Sequence, residues 1–107
     1  MPKYKEKSVT CPVEHTLSII GNKWAVLVIR DLLDGKKRFG VLSRSLSGIS
    51  PRTLSLRLAE LNSQGIVKKR VFYEKPPLKV EYSLTAKGRE LEPILDQMRA
   101  WGTKHDK

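Results

Sequence analysis

Between Phe39 and Leu84 the spacing of apolar residues changes once, at Gly65. Before it, Phe39, Leu42 and Leu46 fall at i, i+3 and i+7, one face of a short helix. Ser47-Gly48 ends that helix and Ile49 packs inward from the turn. Ser50-Pro51 then opens another, since serine is a strong N-cap and proline is favoured at the first helical position. Leu54, Leu58 and Leu61 form its core stripe, and Gln64-Gly65 terminates it. Beyond Gly65 the period drops to two. A strand is expected over about Ile66 to Tyr73, with Val67, Val71 and Tyr73 on one side, and a second over Lys79 to Leu84. In the latter Val80, Tyr82 and Leu84 share one face and Lys79, Glu81 and Ser83 the other. Glu74-Lys75-Pro76-Pro77 between them belongs in a loop, because proline donates no ladder hydrogen bond. Two amphipathic helices across a short turn, then a basic hairpin, spell a winged helix-turn-helix. The fold class is α+β, mainly helical.

The flanks add helices. One is expected over Pro12 to Ile20, with Thr10 or Cys11 at its start and Gly21 at its end; another over Lys23 to Leu33, stopped by Asp34-Gly35. Eight of the ten residues from Trp24 to Leu33 are apolar, covering most of the helix circumference. A helix apolar all round is buried all round, and so small a domain is expected to need a second subunit to enclose it. Thr85 caps a last helix reaching about Gly102, with a stripe of Leu91, Ile94, Leu95, Met98 and Trp101 and with Pro93 well inside, where a kink is expected. That stripe also has little left to cover within one subunit. Trp24, Leu91, Leu95, Met98 and Trp101 are therefore the candidate homodimer interface. Residues 10–107 read as a single domain behind a flexible basic arm, 1–9.

Charge names the partner. The chain of 107 residues carries 21 Lys+Arg against 11 Asp+Glu, a formal +10. From Lys36 to Tyr73 there are nine bases and one acid, Glu60; from Glu90 to Lys107 four acids meet three bases. Solubility alone would not segregate the signs so sharply, which leaves a polyanion as the leading partner. A membrane is not expected as a partner: no apolar run reaches spanning length and no basic amphipathic helix has an open apolar face. The single cysteine, Cys11, excludes an intrachain disulfide framework and, with the lack of a signal-type leader, suggests the cytoplasm.

The helix opened by Ser50 is the candidate reader of double-stranded DNA. With Leu54, Leu58 and Leu61 facing in, Ser50, Pro51, Arg52, Thr53, Leu56 and Arg57 face out. Arg52 suits a bidentate contact to guanine in the major groove. Arg57 suits a base or a phosphate, and Ser50 and Thr53 a phosphate beside the helix N-terminus. The plainer alternative makes Ser50 only a cap and Arg52 only a surface charge. Lys36, Lys37 and Arg44 would hold backbone beside the groove, and Lys75 and Lys79 would do so from the wing. The Lys68–Arg70 run faces DNA or merely solvates its strand. Cys11, in the first turn of a helix and near Lys7, is a candidate redox-sensing thiol, although Glu14 pulls against the thiolate; the alternative is an inert, partly buried side chain. Cys11 and His15 stand at i, i+4, but nothing nearby completes a ligand set, so neither metal nor cofactor is expected. No phosphate-binding glycine loop or nucleophile elbow suggests an enzyme. The alternative function is a non-specific architectural nucleic-acid binder. Polar residues outward on a capped helix favour base reading over that, and the lack of a stacking aromatic platform disfavours RNA.

These residues resemble HxlR-type regulators, relatives of MarR-type winged helix proteins. The resemblance runs from about Cys11 to Trp101. It is carried by Cys11-Pro12-Val13-Glu14, Ile20-Gly-Asn-Lys23-Trp24, Leu32-Leu33-Asp-Gly35, Arg38-Phe39, Gly48-Ile49-Ser50, Leu54 through Leu58 to Leu61, Gly65-Ile66-Val67-Lys-Lys-Arg70, Pro77, Val80-Glu81-Tyr82-Ser-Leu84-Thr85, Gly88 and Trp101. Asn22 stands where the family usually has a second glycine. The resemblance implies a cytosolic homodimer, paired through its N- and C-terminal helices, that controls transcription as a repressor or an activator from a pseudo-palindromic operator. It also implies that a small-molecule or oxidant effector can act, since some members sense electrophiles through a cysteine at the place of Cys11.

Overall fold

A computed structural model describes residues 11–72 and 78–106. The arm over residues 1–9 and the wing loop with Lys75 lie outside them. Among the described residues six helices and three short strands follow one another: α1 Pro12–Ile20, α2 Lys23–Leu32, β1 Lys37–Arg38, α3 Phe39–Ser45, α4 Pro51–Ser63, β2 Val67–Phe72, β3 Lys79–Leu84, α5 Ala86–Arg89 and α6 Glu92–His105. This is a winged helix-turn-helix, with α3 and α4 as the helix pair and β2 and β3 as the hairpin.

Side chains cap the helices: Cys11, Ser50 and Thr85 as expected, and Asn22 in addition. The Glu14 amide donates to Cys11 Sγ at 3.2 Å, opening α1. Asn22 Oδ1 accepts from the amides of Trp24 and Ala25 at 2.9 and 3.2 Å, opening α2. Ser50 Oγ accepts from the Thr53 amide at 3.1 Å, and Thr85 Oγ1 from the Gly88 amide at 3.0 Å. The turn between α3 and α4 passes through Gly48 at φ +90°, a left-handed conformation that side chains resist.

The apolar stripes converge on one core. Val28, Ile29 and Leu32 of α2, Leu42 and Leu46 from the α3 segment, Leu54, Leu58 and Leu61 of α4, and Val67 and Leu84 of the sheet are buried together. In the antiparallel sheet, ordered β1-β3-β2, Val67 pairs with Leu84, Lys69 with Tyr82 and Val71 with Val80. That alternation turns Val67, Lys69 and Val71 toward α4 and leaves Lys68 and Arg70 on the outer face.

Two sequence expectations change. The two-residue strand β1 was not anticipated; two residues are too few to show a period, and Lys37 and Arg38 join the sheet only because Tyr82 and Glu81 lie opposite. The C-terminal helix is not one kinked rod but two, α5 and α6, so Pro93 occupies the first turn of α6, where its missing amide is no loss. The break follows from packing. Gly88 lies so close to the Ile66 carbonyl that a Cβ there would collide with it, so α5 is seated on the start of the hairpin and the chain must turn before α6. Helix α2 is enclosed mainly, though not completely, by its own chain. Contacts with α1, α3, α4, β3 and α6 bury Ala25, Val28, Ile29 and Leu32, while Trp24, Val26, Leu27 and Leu33 are half-buried against the same core. Apolar surface is left over elsewhere, on α1 at Val13 and Leu17 and on α6 at Ile94, Met98 and Trp101.

Candidate nucleic-acid interface

Helix α4 rests on the core through Leu54, Leu58 and Leu61, so its opposite face is open. Arg52 and Leu56 stand on that face one turn apart, and both are exposed. The cap uses part of the polar chemistry at the N-terminus. Ser50 Oγ accepts the Thr53 amide and donates to Thr53 Oγ1 at 2.9 Å, which leaves the Thr53 hydroxyl proton to donate outward. Pro51, in the first turn, has no amide hydrogen, so the anion-binding capacity there rests on the remaining amides.

Arg57 points elsewhere. Its Nη1 lies 2.7 Å from Glu60 Oε1, its side chain is only 25% exposed, and its Nε is buried without an acceptor among the described residues. It lines a cavity of about 390 Å³ between α4 and the α1–α2 pair, with Leu17, Ser18, Asn22, Glu60 and Gln64. The geometry thus separates Arg57 from Arg52, which the sequence had grouped on one surface.

The flanking bases are divided in the same way. Arg44 is exposed in the last turn of α3. Lys36 is exposed and reaches to 3.7 Å from Glu81 Oε1, whereas Lys37 is half-buried in β1 opposite Tyr82. Lys79 is half-buried at the start of β3 opposite Phe72. Lys75 lies outside the described residues. Of the Lys68–Arg70 run, Lys69 borders a hollow with Ser55, Asn62 and Tyr82, and Arg70 sits over the Phe72 ring at 5.3 Å on the outer face. Burial pushes the Tyr82 phenol above its ordinary pKa, so it stays neutral beside Lys69.

Cys11 is 7% exposed, with its sulfur held by the Glu14 amide at the mouth of α1. His15 lies exposed one turn on, and no group of three metal-ligating side chains occurs among the described residues. Among the described residues no helix is long and apolar enough to cross a membrane.

Of the expected interface residues, Met98 and Trp101 are 46% and 68% exposed on α6. Leu95 is buried in its own subunit's core, and Leu91 and Trp24 pack against that core; Lys23 lies over the Trp24 ring at 4.7 Å. Val13 and Leu17, which the sequence reading passed over, are exposed beside the start of the chain's packed body. Their i, i+4 spacing was the available signal.

The model of the HxlR-like helix-turn-helix family matches residues 19–107. The chain belongs to that family. An uncharacterized HTH-type transcriptional regulator of Bacillus subtilis (strain 168), YybR, is 51% identical over 92 residues, which is 86% of this chain and 73% of that protein. A solved structure described as the redox regulator HypR in its oxidized form superposes with a TM-score of 0.83 at 48% identity, covering 89% of this chain and 97% of that one. The reduced form of the transcriptional regulator YodB from B. subtilis superposes with a TM-score of 0.78 at 37% identity, covering 90% and 95%. This HxlR-like chain is accordingly a DNA-binding transcription regulator and not an enzyme. Helix α4, with its open face, is the second helix of its helix-turn-helix.

Proposed function

We propose that this protein is a cytoplasmic homodimer that binds a pseudo-palindromic operator, with the N-terminal half of each α4 in a major groove. The observation that carries the reading is the face of α4 opposite the core, where Arg52 and Leu56 stand open to solvent on a capped helix. Arg52 reads guanine. Ser50, Pro51 and Thr53 lie along the backbone at the helix start, Lys36, Lys37 and Arg44 hold phosphates beside it, and Lys75 and Lys79 do so from the wing. Arg57 contributes only by leaving Glu60. The exposed apolar residues of α1 and α6 support pairing of two subunits through those helices.

Cys11 makes the regulator thiol-responsive in this reading, supported by its place at a helix N-terminus and by likeness to a protein described as a redox regulator. With one cysteine per chain, oxidation yields a disulfide across the dimer or a mixed disulfide with a small thiol.

The test is binding of the purified protein to DNA from its own upstream intergenic region, titrated against salt and random competitor. A preference of several hundred-fold and a protected pseudo-palindrome, with half-sites about 34–36 Å apart, are expected. Equal binding to that DNA and to every selected sequence would replace the reading with a non-specific architectural binder. Diamide should alter operator binding by the natural protein and leave Cys11→Ser unaffected; an equal response in both removes the thiol from the mechanism.

A further inference from the structure

At about 100° per residue, Leu56 lies about 200° around α4 from Leu54 and so points almost directly away from the core stripe. It is 52% exposed, a leucine in the middle of an otherwise polar outward face, while Leu54, Leu58 and Leu61 are fully buried. Among the described residues it takes no part in the core cluster. One turn toward the N-terminus on the same face stands Arg52, which is exposed and takes no part in the ion pairs among the described residues. Beyond Leu56 the face carries the small side chains of Ala59 and Ser63, which leave room for the leucine to be approached.

A major groove offers an exposed apolar residue a single apolar partner, the 5-methyl group of thymine. We infer that Leu56 is a specificity-determining residue that reads a thymine methyl in each half-site. The inference rests on α4 being the helix that enters the groove. Four residues of helix advance about 6 Å. Bases step about 3.4 Å along a strand. With the helix lying along the groove, the thymine read by Leu56 sits about two base-pair steps from the guanine read by Arg52.

The experiment uses the full chain and duplexes carrying the operator recovered by selection from random sequences, with each thymine replaced singly by deoxyuridine, which lacks only the methyl group. For the natural protein, one position per half-site should weaken binding roughly fourfold, the equivalent of about 0.8 kcal/mol for one methyl-sized group removed from water. Leu56→Ala should bind the thymine and deoxyuridine duplexes equally well, and Arg52→Ala should keep the sensitivity to the methyl while losing preference at the guanine. Circular dichroism of Leu56→Ala should match the natural protein, as the side chain is not in the core. Tolerance of deoxyuridine at every position, or an equal loss in the natural protein and Leu56→Ala, overturns the inference while leaving α4 as the reader. Selection that returns no preferred sequence overturns the placement of α4 itself and the inference with it.

Discussion

Asn22 and Asp31 show how single side chains hold helices α2 and α3 in position. The structure gives Asn22 the N-cap of α2. Replacement by glycine should therefore cost only a few tenths of a kcal/mol, and replacement by alanine about 1 kcal/mol, measured by urea unfolding. An equal cost for both would show that the cap contributes little. Asp31, buried in α2, accepts hydrogen bonds from Arg30 Nε at 3.1 Å and Ser45 Oγ at 2.6 Å, so it fastens the end of α3 to the core. Asp31→Ala should lose about 1–3 kcal/mol, and Ser45→Ala a smaller part of it because the hydroxyl is near solvent. At the interface with DNA, Arg52→Ala should abolish about 1–3 kcal/mol of discrimination between base pairs. Lys75→Ala should instead weaken all sequences alike and flatten the salt slope by about 0.9. Unchanged operator preference in Arg52→Ala would remove that residue from the groove.

Elements set what those side chains can reach. Helix α4 has its stripe sunk into the core, and truncating Leu58 to alanine should cost about 2–5 kcal/mol because the closely packed surroundings cannot collapse into the gap. Leu56→Ala, on the other face, should be nearly neutral for stability. The seat of α5 on the hairpin depends on Gly88. Gly88→Ala places a methyl against the Ile66 carbonyl, which is backbone and cannot swing aside, so a loss of about 1–3 kcal/mol is expected in thermal unfolding. A variant as stable as the natural protein would mean that α5 rides freely on the sheet. The two-residue β1 brings Lys36 near Glu81, and such an exposed pair at 3.7 Å contributes little; its value lies in holding the loop that carries Lys36 and Lys37 beside the helix pair.

At the scale of the whole molecule, the proposed dimer needs a surface where two copies meet. Helix α2 is largely enclosed by its own chain, and Leu95 is likewise buried. The helices outside the helix-turn-helix leave Val13 and Leu17 on α1 and Ile94, Met98 and Trp101 on α6 exposed. Trp101→Glu combined with Met98→Glu should give a monomer in sedimentation equilibrium that keeps its helical dichroism and binds the operator far more weakly, since one half-site contact is lost. Retention of the dimer would move the interface away from α6. Leu95→Glu should unfold the subunit instead, which separates a core position from an interface position in the same helix.

Much of the fold was legible from Phe39 to Leu84 because caps, turn glycines and apolar periods are local signals. Ser50-Pro51 opened α4, and the alternation from Lys79 to Leu84 marked β3, without reference to anything distant. Charge segregation, equally a property of the chain alone, pointed to a polyanion. Tertiary structure decided what depends on neighbours remote in sequence. Whether Leu95 faces a core or open surface, whether Arg57 lies with Arg52 or turns to Glu60, and whether Pro93 kinks a helix or starts one were all settled by packing. The physical reason is the same in each case. Periodicity shows which face of an element is apolar, but what covers that face is set by elements that reach it only when the chain has folded.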